Sequence, residues 1–406
     1  MSRRAFRLVF AAVGVMALAL GTWRHSARPV LAPAAFVSLP SQASPAMALR
    51  EVARFDIPRP ADAPAAHASF LLADKEGGLR AFWFAGSRES GPDVQIVMSQ
   101  FGNGVWTKPV TVVNRHTVFR ELGLGSWIRR LGNPVAWMDA QGRTHLYVVA
   151  TGLGGWAASR ILHLVQAKQG NGNGASQPVF VPQGFLQLSP FFNLSHLVRG
   201  APIPMADGDV LLPAYFELGI KYPVAIRLDR NGELVQSRDA VVRMAGNLAS
   251  LQPTVVVASD QNATAYLRDN SGDQLLRFVQ TKDGGRSWTD APNSQGAIGE
   301  AGADFVINPD SSALALRVGD QTLLIHNPQT SGRHRLVIEA SRDGLRGFKR
   351  LATLEYEPPQ LEGVEFNEYS YPSAVVVGDK LHVSYTYQKR WIRHMVLHIK
   401  NEEADK

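Results

Sequence analysis

Two arginines far apart in the chain stand in similar settings. Arg268 lies thirteen residues ahead of the octet Thr281–Trp288 (TKDGGRSW), and Arg333 lies eight residues ahead of the related stretch Ser341-Arg342-Asp343-Gly344. A guanidinium is planar, keeps its charge at every relevant pH and presents paired donors to a carboxylate. Two of them brought together would grip an anionic group, with Arg335 competing for the second place. The loop Phe84 to Asp93 (FAGSRESGPD) crowds Arg88, Glu89 and Asp93. An aspartate beside a pocket can be kept partly protonated and hand a proton to a leaving oxygen. The plain alternative is an Arg–Asp pair closing a surface turn. Glu368-Tyr369-Ser370-Tyr371-Pro372 offers phenols. A neutral phenol suits a reacting carbon that bears a carboxylate, because an anionic nucleophile would be repelled there. A tyrosine packed at the start of a strand is the other reading.

The elements that must position these groups are short strands. From Leu251 to Asp290 an apolar run ends at the turn Ser259-Asp260-Gln261-Asn262. A strand from Thr264 to Leu267 then delivers Arg268, and a third, Leu275 to Gln280, runs into the octet. Similar units open near Ser69, Asn133, Leu197, Ser311 and Ser370, and meanders repeated every 45 to 60 residues or so indicate a propeller. The count predicts an all-β chain folded as a six-bladed β-propeller, whose loops into the innermost strands converge on one face around the axis. Helical periodicity is scarce apart from a turn around Thr117 to Arg130. Two β-sandwiches would leave the recurring octets unexplained.

Composition narrows the function classes. The 406 residues are 45% apolar, with 36 Gly, 24 Pro and no Cys. That suits one large turn-rich β domain and excludes disulfides and thiolate chemistry. His67, His116, His145, His163 and His196 show no ligand spacing, so neither a metal nor a cofactor is expected. A net charge of +7 favours anionic partners, yet no basic run with interleaved aromatics marks a nucleic-acid surface. Residues 1–23 carry Arg3, Arg4 and Arg7 ahead of the uncharged run Leu8 to Trp23. This is either a removed signal peptide or a retained membrane anchor, and both imply export, to the periplasm or the outer face of the cytoplasmic membrane. Residues 24–63, rich in Pro, Ala and Ser, read as a linker; residues 64–400 form the expected propeller and 401–406 a charged tail.

The octet fits S/T-x-D-x-G-x-x-W, the Asp-box, with weaker versions at Ser99–Trp106 and Ser341–Phe348. On these repeats the chain resembles the sialidase-like (BNR, Asp-box) family over most of residues 64 to 400. The resemblance implies a cofactor-free exo-glycosidase removing a terminal acidic 2-keto-3-deoxy sugar, sialic acid or a Kdo-like envelope sugar, from a glycan or glycolipid. It gives Asp93, five positions after Arg88, the place of the general acid/base. Arg268 and Arg333 take those of the middle and last members of an arginine triad. Tyr369 takes that of the nucleophile, with Tyr371 in reserve. Two positions depart. Gln252, sixteen residues before Arg268, stands where the family has the glutamate that activates the tyrosine. Glu217 is then the expected base, with Glu365 behind it. The first triad arginine is missing, and His67 stands in its region. Arg88, Glu89, His67 and Gln252 join the two arginines as expected substrate-binding residues, and Asn133, Asn193, Arg199 and Asn308-Pro309-Asp310 are expected on the same face. The departures place the chain nearer a BNR-repeat-like branch than a sialidase proper. They leave two rivals: a non-catalytic acidic-glycan-binding propeller, and an envelope scaffold with a partner subunit.

Overall fold

Three of the predicted second strands are buried along almost their whole length: Leu79–Gly86, Thr144–Thr151 and Gln321–His326. Continuous apolar runs of this kind belong to strands covered on both faces, so each sheet must lie between two others. The computed structural model describes residues 3–38, 46–122, 128–167, 178–189, 193–291, 305–357 and 367–402. It shows six four- or five-stranded antiparallel sheets arranged as a six-bladed β-propeller.

The first strands, which lie nearest the axis, are Ala65–Ala73 in blade I, Arg130–Met138 in II, His196–Val198 in III, Ser250–Val257 in IV, Leu314–Val318 in V and Tyr369–Val377 in VI. Each leads into an antiparallel meander. Loops therefore fall at two ends. The turns between strands one and two, and between three and four, mark the back. The starts of the first strands, and the connections from strand two to strand three, mark the front. Arg268, at the end of Ala263–Asp269, and Arg333, just ahead of Arg335–Ser341, are both at the front.

The octet Thr281–Trp288 forms a back-face turn as its pattern requires. Asp283 Oδ1 accepts from the Ser287 N–H (2.9 Å) and Oδ2 from the Ser287 hydroxyl (2.6 Å). Gly284 and Gly285 take φ of 70° and 87°, open to glycine at little cost. Trp288 is buried and donates to the Gly285 carbonyl.

The ring closes through its ends. The outer strand of blade VI is Ala46–Ile57, paired antiparallel with Trp391–Glu402 from Ala46↔Glu402 to Ile57↔Ile392. This corrects the expected linker at 24–63 and the expected tail, since residues 401 and 402 continue the last strand. The segment was misread because its Pro/Ala content and a bulge between Glu51 and Ala53 break the strand alternation of AMALREVARFDI: Met47 is buried on the blade V side and Ile57 on the blade I side. A second part of the same segment, residues 29–37, lies against the back of blades III and IV with Phe36 buried. Of the helix expected around 117–130, α2 forms over Arg115–Leu122.

Candidate functional site

The inner strands of blades I, IV and VI share an irregularity at their front ends. Register shifts fall between His67 and Phe70, Leu251 and Thr254, and Ser370 and Ser373. Ala68, Gln252 and Tyr371 there have φ of 53°, 51° and 54°. A bulge sets two residues opposite one and re-aims a side chain. The left-handed backbone costs a non-glycine residue roughly 1–2 kcal/mol. Pro253 and Pro372 follow two of these bulges and have no N–H to leave unpaired.

Tyr371 is the hub. Its hydroxyl accepts from Arg268 Nη1 (3.3 Å) and Gln252 Nε2 (3.5 Å). Its ring lies 5.5 Å from the Arg199 guanidinium, 5.9 Å from that of Arg333 and 4.4 Å from the His67 ring. Side chains from blades I, III, IV and V thus meet around one phenol of blade VI. Arg268 Nε donates to Asp310 Oδ1 (2.6 Å) and Nη1 to Gln252 Oε1 (3.2 Å). Arg333 Nη2 donates to the Asp310 carbonyl (3.0 Å) and Nη1 to Glu368 (2.9 Å). Lys389 Nζ lies 3.0 Å from Glu89 and 3.4 Å from Glu368.

The charges are settled by these neighbours. Burial opposes the Glu368 charge, but Arg333, His67, Ser370 and Lys389 outweigh it and bring its pKa down to about 2. Burial also opposes the Arg268 charge, yet Tyr371 and Asp310 raise its pKa above the ordinary arginine value. Burial lowers Arg199 to about 10, still a cation at neutral pH, and His67 to about 4, a neutral ring. On the three site arginines, Arg268 Nη2, Arg333 Nε, and Nε and Nη1 of Arg199 make no hydrogen bond to the described residues, and the Arg199 Nε is buried.

Residues 77–383 match the family described as a BNR repeat-like domain. The chain belongs to the BNR repeat-like family. Among solved structures, Hadza microbial sialidase Hz136 is 16% identical and superposes with a TM-score of 0.61, covering 82% of this chain and 66% of that one. A Trypanosoma rangeli sialidase mutant displaying trans-sialidase activity is 13% identical, with a TM-score of 0.60 over 91% of this chain and 59% of that one. A protein of unknown function from Dyadobacter fermentans is 14% identical, with a TM-score of 0.57 over 87% of this chain and 100% of that one. The chain spans just under two thirds of the first sialidase and less of the second. At these identities the likeness is one of fold. No curated protein matches the sequence.

Within this BNR repeat-like propeller, several expected residues take other places. Tyr369 is fully buried in the core of blade VI against Tyr387; its backbone N–H donates to the Arg333 carbonyl (2.8 Å), but its hydroxyl makes no hydrogen bond to Arg268, Arg333 or Gln252. Tyr371, two residues on, holds the axial position. Asp93 is exposed, and Ser87 occupies both its oxygens, N–H to Oδ2 at 2.7 Å and hydroxyl to Oδ1 at 2.8 Å. Slight burial raises its pKa, but the Ser87 bonds outweigh that and hold it below the usual carboxylate range, so it caps its own loop as an anion. Arg88 is exposed and makes no ion pair among the described residues. Glu217 sits 4.0 Å from Lys221, its pKa raised by burial, and makes no hydrogen bond to either Tyr369 or Tyr371. Glu365 lies outside the described residues. His67, Gln252, Glu89, Arg199, Arg268, Arg333 and Asp310 do converge, whereas Asn193 and Asn308 close loops through Leu188 and Ser311. Glu368 and Lys389 were missed as site residues. For the axial tyrosine a signal existed: Asn133, Gln252 and Tyr371 each precede a proline near the start of an inner strand. Among the described residues no group of three acidic or histidine side chains could hold a metal.

Proposed function

We propose that the chain is a receptor for a terminal acidic sugar, sialic acid or another 2-keto-3-deoxy sugar acid such as Kdo, whose carboxylate it takes at the propeller axis without cleaving the sugar. The reading is carried by the convergence of Arg268, Arg333 and Arg199 on Tyr371, with donor atoms on each still unpaired. A hydrogen bond to a charged partner contributes roughly 1.5–3 kcal/mol, so two or three such donors suffice for selective binding. A cavity of about 460 Å³ between blades I and VI, lined in part by Ala65, Ser87, Glu89, Lys389 and Arg390, adjoins the cluster and would take the rest of the ligand.

Turnover has less support. Sialidase-like hydrolysis needs a proton donor and an activated nucleophile. Asp93 is a capped anion, and the hydrogen-bonding neighbours of the Tyr371 hydroxyl are an amide, Gln252, and a guanidinium, Arg268, neither of which takes up a proton. One observation favours hydrolysis as a second reading: the Tyr371 hydroxyl lies against Arg268, where it would face the carbon bearing a bound carboxylate. The deciding experiment pairs calorimetric titration of free sialic acid and free Kdo with release of keto-acid from sialosides and envelope glycolipid. Binding without release supports the receptor. Release that is lost in Tyr371→Phe replaces it with the exo-glycosidase, and neither binding nor release leaves a scaffold.

A further inference from the structure

The helix α1 (Arg3–Ser26) carries a 22-residue stretch, Ala5–Ser26, of mean hydropathy 1.9 in its most apolar window, with none of that window buried against the propeller; its uncharged run is Leu8–Trp23, flanked by Arg7 and Arg24. At 1.5 Å per residue the uncharged run is about 24 Å long and the whole stretch about 33 Å, which crosses a hydrocarbon core of roughly 30 Å when Arg7 and Arg24 extend their heads to the two interfaces. Leu8, Phe10, Val15, Met16 and Leu18, which point to different sides of α1, are all more than half exposed, so the helix is apolar around its circumference, as a lipid-facing span must be. The last turn of α1 carries the exposed Arg24, placed where a span meets polar headgroups, while His25 and Arg28 line a cavity against blade III.

Three residues beyond α1 the chain is pinned to the propeller. The Pro29 carbonyl accepts from the Arg238 N–H (3.1 Å) and the Ser237 hydroxyl (3.0 Å), and the Leu31 N–H donates to Asp239 (2.8 Å). Ala35, Phe36 and Val37 continue the contact through Ala206, Asp260 and Pro204. The Phe36 ring packs with Met205, Leu211 and Trp288. Gly284 leaves room for the Ala34 carbonyl, which an added Cβ would meet at 2.0 Å. Every one of these partners is in or beside a back-face turn: Met205–Asp209, Ser237–Asp239, Asp260 and the Asp-box. The axial site opens at the other end of the same strands, about 25 Å away for an eight-residue strand.

We propose that this strap turns the propeller's back toward the bilayer that α1 spans, so that the axial site faces away from that bilayer. Only residues 27 and 28 separate helix from strap, which holds the back face within roughly 10 Å of the headgroups. The orientation stands whether or not the site takes an acidic sugar. If it does, that sugar comes from the opposing phase and is not a headgroup of the membrane that holds the chain.

The test uses the full chain, and the lack of native cysteine makes any introduced thiol unique. Lys282→Cys on the back and Ser271→Cys on the front, both exposed positions of blade IV, are labelled with a small maleimide fluorophore. The protein is reconstituted in vesicles carrying a headgroup nitroxide quencher. The label at 282 is expected to be quenched several-fold more than that at 271. A flexible Gly-Ser insertion of about 20 residues between Ser26 and Ala27, which leaves the strap seated, should erase the difference. Equal quenching without the insertion, stronger quenching at 271, or recovery of the chain from cells as a soluble protein lacking α1 would each overturn the proposal.

Discussion

Asp310→Asn is expected to tighten the binding of an acidic sugar. In the free protein Asp310 Oδ1 holds Arg268 Nε at 2.6 Å, and Asn270 Nδ2 donates to Oδ2 at 2.6 Å. A ligand carboxylate on the open Nη2 of the same guanidinium would sit about 5 Å from the Asp310 charge. Two like charges at that distance repel by about 3 kcal/mol at an effective dielectric of 20. Asp310 is 34% exposed, so water screens more than half of this, leaving about 1.4 kcal/mol, a factor of about ten in Kd. The asparagine can still accept from Nε, while Gln252 Oε1 and the Tyr371 hydroxyl keep the guanidinium aimed. Calorimetric titration of sialic acid and Kdo into wild type and variant measures the change, with a neutral hexose as control. An unchanged or weaker Kd in Asp310→Asn would refute the assignment of Nη2 as a carboxylate donor.

Other substitutions separate structure from function. Arg268→Met removes one charge-assisted donor, about 2 kcal/mol, and should weaken the same titration about 30-fold. Tyr369→Phe should leave binding unchanged, whereas Tyr371→Phe should weaken it several-fold by freeing Gln252 and Arg268 from their shared acceptor; equal effects would reverse the choice of axial tyrosine. Phe36→Ala should cost about 3 kcal/mol, read as a fall in the urea midpoint. Burial lowers His67 and His382 to about 4, and His163 and His394 to about 3. Above the unfolded value of about 6.5 neither state holds these protons and the stability is fully present. Below it the unfolded chain gains protons that the folded one refuses, so each histidine should cost up to about 1.4 kcal/mol per pH unit between about 6.5 and 4. Urea unfolding at pH 7, 6 and 5 measures this, and a flat profile would contradict it.

What the sequence revealed and what it hid follow from the range of the interactions. The Asp-box was readable because its hydrogen bonds close within Thr281–Trp288. Blade number was readable because short-strand meanders recur along the chain, three of them ending in the octet or a weaker version of it. The axial tyrosine was not. Strand alternation would put Tyr369 and Tyr371 on one face, and only the bulge, which is defined by pairing with Lys380–Tyr387, separates them. Asp93 kept the expected spacing, but its protonation depends on Ser87 and on exposure, which spacing does not encode. Residues 29–37 and 46–57 were read as part of a linker because their partners lie near residues 204–284 and 392–402, far beyond any local pattern.

The pairing of Ala46–Ile57 with Trp391–Glu402 has a consequence for how the molecule is made. Nearly all of residues 46–402 must be synthesised before Ala46–Ile57 can meet Trp391–Glu402, so the long closure comes at the end of assembly. Until then blade VI lacks its outer edge and two unpaired strand borders stand open to other chains. A nascent or truncated chain ending before residue 391 would therefore keep most of its sheets and still be an aggregation hazard until Trp391–Glu402 is made.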